Sequence, residues 1–290
     1  MKNLDLSTLP AKKRKQIVSC LRAGIQLLYF LFLPSVFTAA FNGVKYIFTQ
    51  LGQGEKIEMT AFVSALLLVC AFTIVFGRFF CGFACAFGSL GDAMHAIYGI
   101  ICKKRKKKPI RIKPELAKKL ALVKYGILLL IALCCFAGVY QKARGTSPWD
   151  VFSMLHAGNF RLSSYIPGIV LLVLILVGMF FEERFFCRFL CPMGAVFSLL
   201  PILPFFTLHR KRENCIRGCS ACTRQCPSAV ELPSDGYVEI SGDCFQCQKC
   251  IDTCPKGNIR CGVKEFQGNE ILFTLFCAVF LLTLLLWAGI

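Results

Sequence analysis

The chain has 290 residues, 56% of them hydrophobic and only 17% charged, with 34 Lys and Arg against 16 Asp and Glu for a formal net charge of +18. Apolar runs of about 20 residues and 28 phenylalanines fit a lipid-embedded body rather than a soluble globule. The surplus cations flank the apolar runs, so they read as a topology signal and exclude a soluble basic domain of the kind that binds nucleic acid.

In chain order, the uncharged runs predict membrane spans over 23–44, 59–77, 120–141 and 162–181, all within a membrane domain of residues 1–208. The first should kink near Pro34, and the third carries Lys124 at its entry, placed to snorkel to the interface. A further span over 271–290 belongs to a C-terminal transmembrane segment, residues 266–290. Lys12, Lys13, Arg14, Lys15 and Arg22 precede the first span, which reads as an anchor rather than a cleaved leader. Lys103 to Lys108 with Arg111, Lys113, Lys118 and Lys119 separate the second span from the third, and His209-Arg210-Lys211-Arg212 follow the fourth. The positive-inside rule then puts the N-terminus, the central basic loop and residues 209–265 on the cytoplasmic side of a prokaryotic inner membrane, with the C-terminus outside. Those cations would lie against anionic lipid.

Two segments after the second and fourth spans match at a constant offset. Arg78-Phe79-Phe80-Cys81-x3-Cys85 with Gly88 corresponds to Arg184-Phe185-Phe186-Cys187-x3-Cys191 with Gly194. This reads as a duplicated unit whose copies end on the same side, a parallel repeat. Pro192 suits the first position of a helix, which would put Cys191 at its N-terminus. With Arg78, Arg184 and Arg188 nearby, such thiols are expected to favour the thiolate. Facing each other, Cys81, Cys85, Cys187 and Cys191 would form one four-thiol site for a further iron–sulfur cluster, a copper ion or a reversible dithiol. The plainer reading is that they only pack helices.

Residues 209–265 hold the densest signal. Cys244-x2-Cys247-x2-Cys250-x3-Cys254-Pro255 has the spacing with which bacterial ferredoxins hold cubane clusters, and Cys215-x3-Cys219-x2-Cys222-x3-Cys226-Pro227 repeats it with one extra residue. The fourth cysteine of each motif reaches across, so Cys215, Cys219, Cys222 and Cys254 are the candidate ligands of one [4Fe–4S] cluster. Cys244, Cys247, Cys250 and Cys226 are those of the other. Zinc or disulfides are the bland alternatives, but zinc sites lack the Cys-Pro tail and cytoplasmic thiols stay reduced. Residues 230–240 read as a hairpin around Pro233-Ser234-Asp235-Gly236, and so small a module should draw folding energy from its metal. The fold class expected is an all-α polytopic membrane domain of about five transmembrane helices in two parallel repeats, with a small α+β bacterial-type two-cluster ferredoxin module.

Two sets of residues are candidates for a quinone site. Trp149 and Asp150 with His156 lie at the outer interface, and His95 with Asp92 follows the first cysteine turn. Each has an ordinary explanation as interfacial aromatic, helix cap or polar-face residue. Cys20, Cys70, Cys102, Cys134, Cys135, Cys261 and Cys277 lack ligand spacing and read as packing residues.

The Arg-x-x-Cys-x3-Cys turns together with the paired ferredoxin motifs resemble the membrane polyferredoxins of the NapH type, quinol dehydrogenase subunits of periplasmic nitrate reductase systems, related to CcoG-type and NosR-type proteins. The resemblance covers residues 20–262. It implies electron transfer between the quinone pool, or a cytoplasmic donor, and a partner redox subunit carrying haem, flavin or iron–sulfur centres. The chain would then serve a quinol dehydrogenase-type oxidoreductase. A membrane copper reductase or other metal-handling assembly factor is the alternative it implies. Ala86 stands where the family has proline in the first turn, and the last span is additional.

Overall fold

The computed structural model describes residues 11–107, 109–140, 145–160, 163–203, 206, 208–210, 215–230, 241–261 and 270–289. The expected hairpin core at 231–240, and Lys108, Lys211 and Arg212 of the basic runs, lie outside these residues.

The first apolar run is two helices, α1 (Ala11–Phe32) and α2 (Val36–Gln53), which meet at 61°. Pro34 has no amide hydrogen to donate and disfavours helix in the residue before it, so the expected kink becomes a break. Next come α3 (Ala61–Phe76), a π-helical turn (Phe80–Ala84) and α4 (Ala86–Lys104). After α5 (Pro114–Leu120), α6 (Val123–Phe136) and the short α7 (Pro148–His156), the pattern returns. Helix α8 (Ile166–Phe181), a second π-helical turn (Phe186–Leu190) and α9 (Pro192–Leu199) repeat α3, turn and α4. Pro192 opens α9 and Cys191 caps it, its sulfur accepting from the Gly194 amide at 3.1 Å, as the sequence led one to expect.

Among the described residues two helices are long and apolar enough to cross a membrane, Glu115–Phe136 (α5 and α6 joined across a turn) and α12 (Glu270–Trp287); α1 with α2 makes a third if that bent pair is one span. Helices α3 and α8 have 16 residues each, about 24 Å at 1.5 Å per residue, short of a hydrocarbon core of about 30 Å. Helix α8 buries only Gly168, Leu172, Ile175 and Met179, a single stripe, and leaves Val170, Val173, Leu174 and Val177 exposed. Apolar side chains on every face mark a helix surrounded by lipid rather than water. The protein is therefore membrane-embedded.

The remaining described residues form the small module. Strand β1 (Leu208–Arg210) pairs antiparallel with β2 (Ile259–Cys261), Leu208 opposite Cys261, and α10 (Ala221–Gln225) packs on α11 (Lys249–Thr253). Strand β1 follows a segment bonded to the membrane body, where the Leu203 amide donates to the Ile74 carbonyl at 2.8 Å. Helix α12 closes the chain against α3, and the Tyr29 hydroxyl donates to the Ala278 carbonyl at 2.6 Å.

Lys124 departs from expectation. It does not snorkel: it is 2% exposed, with its ammonium 2.5 Å from Asp243 and 2.8 Å from the Ser198 hydroxyl. An ammonium that deep needs an anion, and the module provides one.

Candidate metal centres

The two ferredoxin motifs fold around two separate cavities. Cys215, Cys219, Cys222 and Cys254 line one, together with Pro255, Asn258 and Ile259. Cys226, Cys244, Cys247 and Cys250 line the other, with Cys222 at its edge. The first cavity thus takes three cysteines of the first motif with Cys254 of the second, and the other takes three of the second motif with Cys226 and Cys222 of the first. The extra residue after Cys215 is absorbed in a turn at Arg217–Gly218, where Gly218 takes φ +72°, a conformation open to glycine. Asn258 holds the rim, its amide donating to the Cys254 sulfur at 3.4 Å. Burial pushes the Cys250 thiol well above its usual range and Cys226 to about 11, with neighbouring cysteines adding to both. Each cavity is a four-sulfur donor set in which thiolates are costly unless a cation neutralises them, which is what an iron–sulfur cluster does.

The duplicated turns form a third sulfur-rich centre. Cys81, Cys85, Cys187 and Cys191 are all buried in one cluster, close enough to act on one another electrostatically. The sequence-based expectation of low thiol pKa is corrected here: burial outweighs the arginines and pushes Cys85, Cys187 and Cys191 up.

The arginines of the two turns are 1% exposed and cross over. Arg184 donates to the Cys81 and Gly82 carbonyls of the first turn, the second bond at 2.9 Å, and its Nε and Nη2 reach Asp92 on α4 at 2.8 and 2.6 Å. Arg78 lies against Gly194 of the second turn. A Cβ on Gly88 would sit 2.5 Å from Arg184, and one on Gly194 3.0 Å from Arg78, so both matched glycines exist to admit a guanidinium. Arg78 spends Nη1 on the Gly242 carbonyl at 3.0 Å, while its Nε and Nη2, on the side of Cys81 and Cys191, have no hydrogen-bond partner. Buried orphan donors beside four thiols fit an anionic sulfur-rich group as acceptor.

The loop Cys244–Gln248 wedges between the turns. Phe245, 2% exposed, stacks under both guanidiniums, 4.8 Å from Arg78 and 5.6 Å from Arg184, and its carbonyl abuts Gly82, where a Cβ would collide. Arg22 donates to the Cys247 carbonyl at 3.4 Å, and Gln248 exchanges hydrogen bonds with Thr274 of α12 at 2.9 and 3.1 Å. The same buried cluster holds an aromatic group of Phe37, Phe87, Phe152, Phe186 and Trp149, with Phe87 5.0 Å from Phe186 and 4.5 Å from Phe152.

The quinone candidates fare unevenly. Asp92 is committed to Arg22, Gln26 and Arg184, leaving His95 alone beside the Phe180 carbonyl at 3.3 Å. Trp149 is packed in the core against Phe41 and Phe186 rather than at an interface. Asp150 sits in the first turn of α7, which Ser147 caps, and His156 packs edge-on to Phe30 at 5.4 Å. Sequence reasoning missed Lys45, whose ammonium lies over Phe41 and Tyr140 at 5.1 and 5.0 Å near Asp150; a lone lysine inside an apolar run was the available signal. Phe245, Asp243 and Ser198 gave no signal beyond their positions.

A family model described as a 4Fe-4S binding domain matches residues 59–109 and 166–207, one match over each copy of the duplicated turn. The ferredoxin-type protein NapH of Haemophilus influenzae is 25% identical over 72% of this chain and 70% of its own. Two uncharacterised proteins of Methanocaldococcus jannaschii also match: MJ0750 is 26% identical over 83% of this chain and 93% of its own, and MJ0749 is 30% identical over 70% and 71%. The chain belongs to the membrane polyferredoxins of the NapH type. No solved structure matches it. In this polyferredoxin the 4Fe-4S family match falls on the two membrane turns rather than on the ferredoxin-spaced module.

Proposed function

We propose that this polyferredoxin is a five-span inner-membrane relay that passes single electrons between the quinone pool, or a cytoplasmic donor, and a partner redox subunit. Cys215, Cys219, Cys222 and Cys254 hold one [4Fe–4S] cluster of the module, and Cys226, Cys244, Cys247 and Cys250 hold the second. Cys81, Cys85, Cys187 and Cys191 hold a further iron–sulfur centre at the membrane face. Such clusters, when bound, supply one-electron carriers whose potentials follow net charge, hydrogen bonding and exposure. The observation that carries the reading is the shared loop: Cys244–Gln248 is at once a wall of the second cavity and the wedge between the membrane turns. The residues there keep water out and positive potential in, through Phe245 and three arginines. The names of relatives point the same way, among them a putative electron transport protein, YccM.

A copper-handling role has weaker support. The family model matched over both membrane turns is that of a 4Fe-4S binding domain, which speaks for iron–sulfur rather than copper there.

Anaerobically purified protein is expected to carry about eight irons from the two module cubanes, plus further iron that disappears when Cys81, Cys85, Cys187 and Cys191 all become serine. Quinol added to membranes should reduce these centres, followed by EPR. Iron content unchanged in the quadruple variant, with normal reduction, would reduce the four thiols to packing residues.

Orientation has its own test. An impermeant amine reagent added to intact cells should leave the 103–108 lysines unmodified and label them only after lysis. Labelling from outside inverts the topology and removes the cytoplasmic module.

A further inference from the structure

The two halves of the membrane domain are not equally complete. The offset that carries Arg78 onto Arg184 and Gly88 onto Gly194 carries Asp92 onto Ser198. In the first half, Asp92 gathers Arg22 at 2.6 Å, Gln26 at 2.7 Å and both edges of Arg184. In the second half, Ser198 reaches Lys124 at 2.8 Å and Arg78 at 3.4 Å, but a hydroxyl carries no charge. Lys124 stands to Arg78 as Arg22 stands to Arg184. The missing anion comes from elsewhere in the chain: Asp243 of the module lies 2.5 Å from Lys124, 3.1 Å from Ser198 and 3.5 Å from Arg78.

We infer that Asp243 is the surrogate for the carboxylate the second repeat lacks, so that seating of the ferredoxin module neutralises Arg78 and Lys124 and thereby sets the redox poise of the four-thiol centre. Two further observations agree. Gly242 lies so close to Ser198 that a side chain there would strike its backbone, and its carbonyl takes the third contact from Arg78, so the approach of this segment is tight. The asymmetry has a direction. Arg184 is neutralised from within the membrane domain by Asp92, whereas Arg78, which faces Cys81 and Cys191, takes its anion from the module. Loss of the module's anion leaves two desolvated cations without a counter-ion, so the pair holds the docked state. Asp243 is thus a positioning residue that acts through Arg78.

The inference rests on the four-thiol centre being redox-active, and the test separates the two ideas. Full-length D243N and D243N/S198D are compared with wild type by EPR redox titration and by hydrogen exchange at residues 244–248. In D243N the four-thiol centre gains uncompensated positive charge, so its oxidised-to-reduced ratio at fixed potential should fall at least tenfold, a rise of about 59 mV for one electron. Exchange of the 244–248 amides should quicken at least tenfold. S198D in that background puts the carboxylate at the repeat's own position. It should bring the potential back toward wild type while exchange stays fast, an outcome that mere loss of packing does not produce. An unmoved potential in D243N, or a double variant with full iron content and no recovery, overturns the electrostatic role. Unchanged exchange in D243N overturns the hold on the docked state. If wild type shows no signal from the four thiols, the redox reading of that centre fails, and the exchange measurement alone decides whether Asp243 seats the module.

Discussion

Serine in place of Cys247 (Cys247→Ser) is expected to strip about four irons from each chain and to erase the spectrum of the cluster nearest the membrane, leaving the other module cluster weakened. Cys247 lines the second cavity and faces Cys226 and Cys250, and its carbonyl accepts from Arg22 of α1, so its loss acts on the cavity and on the docking loop together. A module this small has little apolar core to fall back on: its buried cluster is Leu208, Ile251 and Ile259 with Cys244, Cys250 and Cys261. Limited proteolysis within 215–261 should therefore accompany the iron loss. Cys135→Ser and Cys277→Ser, at buried cysteines outside all three sulfur groups, serve as controls and should keep full iron. Retention of wild-type iron by Cys247→Ser would falsify the ligand assignment.

The second large effect belongs to Arg184. Replacing it by methionine (Arg184→Met) keeps most of the volume but removes the guanidinium that ties Asp92 to the carbonyls of Cys81 and Gly82. Breaking one side of a buried ion pair costs about 3–5 kcal/mol. Arg22 and Gln26 still reach Asp92, so the lower end applies. Thermal unfolding of the detergent-solubilised protein should fall by on the order of 10 °C. Asp92→Asn should cost a similar amount, and the double variant less than the sum, because the two act as one unit. Asp92 is held well below the usual carboxylate range, since Arg184 and Arg22 outweigh the upward push of burial. A depressed folded-state pKa contributes stability above the unfolded value of about 4 that is lost only as pH falls through the lower folded value. Both variants should accordingly flatten the acid limb of the stability profile. Variants that melt with wild type at neutral pH would show that the crossed arginine carries no structural weight.

What the sequence disclosed and what it hid divide along a physical line. Cysteine spacing is local, so the grouping read from the two motifs can be set beside the two cavities their cysteines line, and the extra residue after Cys215 is taken up where Gly218 turns left-handed. The duplication was legible for the same reason, as was the helix starting at Pro192. Hydropathy found the apolar runs but not their geometry: a proline that looked like a kink is a 61° break, and the five residues Phe80–Ala84, like Phe186–Leu190, form a π-helical turn that no hydrophobic period announces. Charge reasoning went astray where the partner is distant in sequence. Lys124 reads as snorkelling because nothing near it reveals Asp243, and Arg78 and Arg184 read as lowering thiol pKa because burial was invisible. Phe245 escaped notice between two ligands, yet it lies between both crossed arginines.

The stitching of the module has a kinetic meaning. Entered through a segment bonded to α3, left through α12, and pinned midway by Gln248 on Thr274, it is fastened on three sides. A carrier so fixed cannot ferry charge by swinging between stations, as a tethered shuttle domain does. Its rates are then governed by a constant tunnelling gap and by driving force, which makes this protein a wire rather than a courier.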